Sequence, residues 1–121
     1  MNKRILLIDD DPLVLRTFDK LLKHNGYEVI SCANHREAVD AISIRDFDLI
    51  VSDIRMPGKN GVETVAMIQN LLMDSGKKDL PIIFITGYAD LSQELQANFV
   101  GEILQKPVDN ERLLTAVRDY L

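Results

Sequence analysis

Five short, largely apolar runs alternate with amphipathic stretches along the chain, and this alternation limits the choice of fold more than any other feature. Each run is too short for a typical helix, and none keeps a strict two-residue period, as is usual for strands buried on both faces. Strands that alternate with helices form right-handed βαβ units and a parallel sheet with helices on both sides. The sequence therefore predicts an α/β fold whose strands lie at residues 5–8, 27–33, 47–53, 82–85 and 102–105.

The stretches between the runs carry helix signals. Asp11 before Pro12 predicts the start of a first helix, because a carboxylate can accept from free N–H groups and proline suits the first helical position. Asn34 with Glu37 resembles a capping box, and Asp109 predicts the start of a last helix. Apolar side chains at helical spacing predict a third helix over residues 62–72 and a weaker fourth over residues 91–99.

Length and charge exclude several classes of protein. A chain of 121 residues is expected to form a single domain, residues 1–121. Its formal charge of −5 disfavours direct binding to nucleic acid or to an anionic membrane. The single cysteine, Cys32, excludes an internal disulfide, and no apolar run has the length of a membrane span or a signal peptide. We therefore expect a cytoplasmic protein.

Polar residues stand where the predicted strands end. Asp9 and Asp10 follow the first strand, and Asp53, Thr86 and Lys106 stand at the ends of the third, fourth and fifth. Because parallel strands point the same way, these side chains should meet at one edge of the sheet, where open α/β sheets bind ligands. Each has a simpler explanation when taken alone, such as capping or exposure to solvent. Their occurrence on four strand ends indicates a functional site.

The residue types at this edge indicate phosphoryl chemistry. Carboxylates held close together repel unless a cation lies between them. His24 and His35 are both predicted to lie on the surface, so neither is expected to bind this cation. Its ligands would then be oxygen atoms, which favours a hard cation such as Mg²⁺. A carboxylate beside Mg²⁺ can attack a phosphoryl group. Lys106 would supply positive charge and Thr86 a hydroxyl donor, while Gly87 would leave room for a phosphodonor.

The chain resembles the CheY-like receiver domain of bacterial two-component response regulators over essentially its whole length. Four motifs carry the resemblance: ILLIDDDP at residues 5–12, DIRMPG at 53–58, TG at 86–87 and KP at 106–107. The resemblance implies a flavodoxin-like, doubly wound (βα)5 fold with the strand order 2-1-3-4-5.

The same resemblance implies roles for the site residues. Asp53 would be the phosphoacceptor. Asp10 and Asp53 would bind Mg²⁺ through their side chains, Asp9 would act mainly through water, and the backbone carbonyl of Arg55 would be a further ligand. Thr86 and Lys106 would sense the phosphoryl group.

The fifth strand departs from the family pattern. Similar domains usually have Tyr or Phe three residues before the lysine, and this chain has Ile103. This chain therefore lacks the aromatic residue of the usual readout, and Tyr88 is expected to replace it. The resemblance also implies a cis bond between Lys106 and Pro107.

The resemblance implies signalling rather than turnover of a substrate. A sensor histidine kinase or a histidine phosphotransfer protein would donate the phosphoryl group, and the domain would catalyse only its own phosphorylation and dephosphorylation. The signal would leave through the face around the predicted fourth helix, the fifth strand and the last helix. It would pass to an effector domain, a target protein or a phosphorylation-dependent homodimer.

Three alternatives remain at this stage. The aspartate run also resembles the DxD signature of haloacid-dehalogenase-type phosphatases, although Leu13 stands where that pattern usually has Thr or Val. A flavin-binding domain of the same topology would need a loop rich in Ser, Thr and Gly after the first strand. A pseudo-receiver would bind partners without being phosphorylated, although all five site residues are present.

Overall fold

The computed structural model describes residues 2–54, 61–87 and 101–121, which contain five strands and four helices. The strands are β1 (Arg4–Ile8), β2 (Glu28–Cys32), β3 (Leu49–Asp53), β4 (Ile82–Thr86) and β5 (Gly101–Gln105). The helices are α1 (Pro12–His24), α2 (His35–Ile44), α3 (Gly61–Asp74) and α4 (Asn110–Tyr120). The predicted helix over residues 91–99, Tyr88 and the segment that contains Arg55 lie outside the described residues.

All neighbouring strands run parallel, in the order β2-β1-β3-β4-β5, which confirms the predicted fold. Strand β3 is central: Ser52 is level with Ile8 of β1 on one side and with Phe84 of β4 on the other. The carboxyl end of β3 therefore lies between the ends of β1 and β4. This register brings Asp53 next to the residues that follow β1.

Helices cover both faces of the sheet. Each fully buried aliphatic side chain contributes about 2 kcal/mol to stability, so the two apolar layers between sheet and helices dominate the folding energy. Helices α2 and α3 cover one face, in a cluster that includes Leu6, Ile8, Ile50, Phe84, Ala38, Ile42, Val65 and Ile68. Helices α1 and α4 cover the other face, in a cluster that includes Leu7, Val51, Ile83, Ile85, Phe18, Leu22, Leu113 and Val117.

Side-chain caps fix where three of the helices begin. The Asp11 carboxylate accepts from two N–H groups of the first turn of α1, and Asp109 accepts at 2.7 Å from an N–H group of α4. Asn34 caps α2 as predicted, with its Oδ1 2.9 Å from the backbone nitrogen of Glu37. The Glu37 carboxylate accepts from the N–H of Ala33 rather than from that of Asn34, so the box is displaced by one residue. Within the described ranges, no helix is both long and apolar enough to cross a membrane.

Cys32 is buried at the end of β2, and its environment predicts an unreactive thiol. Burial raises the pKa of the Cys32 thiol from 9.0 to about 12, and the negative charges of Glu37 and Asp40 add to the effect. The thiolate is the reactive form, so at pH 8 the native protein should react with iodoacetamide more slowly than the urea-unfolded chain, by roughly two orders of magnitude or more. Mass spectrometry of timed samples measures both rates. Equal rates would show that the thiol is accessible and not perturbed.

Candidate functional site

Three aspartates converge where β1 and β3 end. Asp9, Asp10 and Asp53 each offer a carboxylate oxygen, and these oxygens lie within 4.8 Å of one another. Asp9 and Asp53 are only 2% and 6% exposed, whereas Asp10 is exposed. The cluster is therefore embedded in the edge of the sheet on one side and open to solvent on the other.

Asp9 is held on both sides by the backbone. Its Oδ1 accepts from the N–H of Asp11 at 2.9 Å, and its own N–H donates to the carbonyl oxygen of Cys32 at 3.1 Å. Burial raises the pKa of the Asp9 carboxyl, while the Asp11 N–H and the Lys106 ammonium oppose the rise. The site thus holds a carboxylate whose charge is costly unless a cation is near.

Lys106 supplies one such charge. Its Nζ lies 3.5 Å from Asp53 Oδ2 and 3.6 Å from Asp9 Oδ2. Both distances exceed the roughly 3.2 Å of a good N–H···O hydrogen bond, so the ammonium lies between the carboxylates as a shared charge. The Lys106 N–H donates to the carbonyl of Thr86 at 2.8 Å, and the Lys106–Pro107 bond is cis, as the family resemblance implied.

The end of β4 completes this edge. Ile85 is level with Asp53, so Thr86 lies one residue further towards the carboxyl edge, and it is 1% exposed. Gly87 follows and is exposed. A Cβ built on Gly87 would lie 3.6 Å from the Lys106 side chain, which is an ordinary contact. Alanine would therefore fit at this position, and glycine leaves only the volume of one methyl group open.

Most of the residues predicted from the sequence meet at this edge of the sheet. The structure brings Asp9, Asp10, Asp53 and Lys106 together, with Thr86 on the adjoining strand end. The cluster of metal-ligand type found within the described ranges contains aspartates alone.

The two histidines differ in their surroundings. His24 is exposed, as predicted. His35 is half-buried rather than fully exposed, and its enclosed Nδ1 has no hydrogen-bond partner among the residues that the structure describes.

Two residues beside Asp53 were not recognised from the sequence. The Ser52 hydroxyl donates to the backbone carbonyl of Asp53 at 2.9 Å. Gly61, the first residue of α3, packs so closely that a Cβ built there would lie 2.0 Å from the same carbonyl oxygen. Asn60 and Gly61 together indicate only a turn, and nothing in the sequence singles out Ser52.

The aspartate cluster fits a hard divalent cation. Three carboxylates and one nearby ammonium leave a net negative site, and two of the carboxylates are buried. Oxygen ligands of this kind are those that Mg²⁺ and Ca²⁺ prefer. The residues present therefore suit a metal of that class.

Comparisons with known proteins agree with this geometry. The chain is 32% identical to the transcriptional regulatory protein CrdR of Helicobacter pylori over 99% of its own length and 55% of that protein. Chemotaxis protein CheY4 of Vibrio cholerae superposes with a TM-score of 0.89 at 29% identity, with 100% of both chains covered. Response regulator TrrA of Thermotoga maritima, solved with Mg²⁺–BeF, gives a TM-score of 0.83 at 29% identity, with 98% of this chain and 99% of that chain covered.

The chain spans only about half of CrdR, so the activity of that whole protein is not transferred to it. A family model supplies the assignment instead. The model of the response regulator receiver domain matches residues 5–118, which is nearly the whole chain and includes every residue of the site described above. This match decides against the phosphatase and the flavin-binding alternatives. The chain belongs to the response regulator receiver domain family of two-component signalling proteins.

Proposed function

We propose that residues 1–121 act as one phosphoacceptor unit and that Asp53 is the residue phosphorylated. The observation that carries this proposal is the position of the Asp53 carboxylate, at the end of the central strand, within 4.8 Å of two other carboxylates and 3.5 Å from Lys106 Nζ. Asp53 is the cluster member on the middle strand. Asp9 is tied to the start of α1, so Asp53 is the better candidate for the nucleophile.

In the proposed reaction, an Asp53 oxygen attacks the phosphorus of a phosphohistidine or of a small acyl phosphate. The bond from phosphorus to the donor breaks, and its electron pair leaves with the donor. Lys106 holds positive charge beside the oxygens that carry the added negative charge. Thr86 lies one residue beyond the level of Asp53, and its hydroxyl donates a hydrogen bond to the new phosphoryl group.

Mg²⁺ is the proposed cofactor, and when bound it would neutralise phosphoryl oxygens and reduce repulsion among the carboxylates. Asp10 and Asp53 would hold it through their side chains, and Asp9 mainly through water. The backbone carbonyl of Arg55 remains a proposed ligand on family resemblance alone.

The proposed donor is a sensor histidine kinase or a histidine phosphotransfer protein. Relatives such as CrdR are longer than this chain, so an effector domain or a separate target is the proposed recipient of the signal. Ile103 is partly buried against the cluster beneath α2 and α3, which supports a readout that does not depend on its rotation. Tyr88 and the predicted fourth helix, residues 91–99, lie outside the described residues.

Acetyl phosphate tests the proposal directly. We expect the wild-type protein to gain one phosphoryl mass when incubated with acetyl phosphate and Mg²⁺, as measured by intact-protein mass spectrometry. The same incubation with EDTA should give no gain, because the carboxylates would then repel the donor. A protein that binds Mg²⁺ but stays unlabelled with all donors would instead be a pseudo-receiver.

A further inference from the structure

The backbone beside Asp53 is held from the side of α3. Ser52 is fully buried, and its neighbours two residues away, Ile50 and Ile54, lie in the cluster beneath α2 and α3. Side chains alternate along a strand, so Ser52 faces the same layer. Its hydroxyl donates to the carbonyl of Asp53 at 2.9 Å. The layer that Ser52 faces is apolar, so packing alone does not call for a hydroxyl here.

Gly61, at the start of α3, contacts this peptide group and the next one along the chain. Its N–H donates to the carbonyl of Ile54 at 2.6 Å. A Cβ at this position would lie 2.0 Å from the Asp53 carbonyl oxygen and 2.9 Å from its carbonyl carbon. The obstructing atoms belong to the backbone of β3, so a larger residue could be accommodated only if β3 or α3 moved. Glycine is needed here for close approach.

These contacts involve the backbone of Asp53, the residue whose position matters most for the proposed reaction. The Asp53 carboxylate has to reach Asp9, Asp10 and Lys106 at once, and misplacement of a reacting group by 1 Å can cost about a hundred-fold in rate. We propose that Ser52 and Gly61 are positioning residues, which hold the peptide group between Asp53 and Ile54 and so aim the Asp53 carboxylate at its partners. This inference rests on the proposed phosphoacceptor function.

Ser52→Ala gives the cleaner test, because alanine fits a buried site and the fold should persist. Loss of one neutral hydrogen bond corresponds to about a five-fold effect, so we expect about five-fold slower phosphorylation at saturating acetyl phosphate and Mg²⁺. Ser31→Ala is the matched control, since Ser31 is a strand serine whose hydroxyl bonds to Asp19, away from the site. Ser31→Ala should phosphorylate at the wild-type rate.

Gly61→Ala should have the larger effect, about a hundred-fold slower phosphorylation in the folded protein. Gln69→Ala is its control for lost stability, because Gln69 makes two hydrogen bonds to the backbone of Leu80 and lies on α3 away from the cluster. Rates are compared well below each melting temperature. If Ser52→Ala and Gly61→Ala lower only the melting temperature and phosphorylate like their controls, the positioning role is wrong. If Gly61→Ala does not fold, the comparison of Ser52→Ala with Ser31→Ala decides.

Mg²⁺ affinity separates this inference from the proposed function. If the wild type is not phosphorylated, the proposed function fails, but displaced Asp53 should still weaken Mg²⁺ binding in Ser52→Ala relative to Ser31→Ala. Equal affinities in the two variants would overturn the positioning role. A wild type that neither binds Mg²⁺ nor accepts a phosphoryl group would overturn both.

Discussion

Asp53→Asn should accept no phosphoryl group under conditions that label the wild-type protein completely. Asparagine has nearly the same shape, so it can occupy the buried end of β3 without opening a cavity. Its amide oxygen carries no negative charge and is a poor nucleophile towards phosphorus, so the loss should be total. Intact-protein mass spectrometry after incubation with acetyl phosphate and Mg²⁺ measures the outcome. Circular dichroism checks that the variant remains folded.

Asp11→Asn is the matched control for this substitution. Asp11 lies in the same run of aspartates, but its exposed side chain caps α1 and does not belong to the metal-type cluster. Asparagine caps helices about as well as aspartate, so Asp11→Asn should be labelled like the wild type. Labelling that persists in Asp53→Asn would move the phosphoacceptor to another residue. Loss of labelling in Asp11→Asn would mean that any change of charge near the site is enough to prevent phosphorylation.

The fold was predictable because strands that are buried on both faces appear in the sequence as uninterrupted apolar runs. Residues 5–8 and 82–85 are apolar without interruption, and both became strands between two helical layers. The start of β3 was placed less well, two residues too early. Phe47 is buried, but Asp48 donates its N–H to the Arg4 carbonyl and accepts from the Arg4 N–H through its side chain. An apolar residue indicates that a position is buried. Where a strand begins depends instead on which backbone groups form hydrogen bonds with the neighbouring strand.

The sequence predicted the residues whose side chains form the site, but not those that contact its backbone. Asp53, Thr86 and Lys106 could be placed together because parallel strands end at one edge of the sheet. Ser52 and Gly61 contact the backbone of Asp53, Ser52 through its hydroxyl and Gly61 through a close approach that the absence of a Cβ allows. Contacts of this kind depend on how α3 packs against β3, and no spacing rule expresses that packing.

Mg²⁺ should stabilise the folded protein measurably, because the cluster exists only when β1 and β3 pair. At a Mg²⁺ concentration of about ten times the dissociation constant, linkage predicts about 1.4 kcal/mol of added stability. Urea unfolding at a series of Mg²⁺ concentrations gives the free energy of unfolding at each. A free energy that stays constant to well above millimolar Mg²⁺ would contradict the metal site.

Asp10→Asn tests whether that stabilisation arises at the cluster. Asp10 is exposed, so its replacement leaves no buried charge without a partner. The variant should lose most of the Mg²⁺-dependent gain, because one carboxylate ligand is gone. Without metal it should be more stable than the wild type, since its neighbours Asp9 and Asp53 are relieved of a repelling charge. Asp74→Asn removes the same charge from the exposed end of α3 and should keep the full gain, so equal Mg²⁺ responses in the two variants would place the effect outside the cluster.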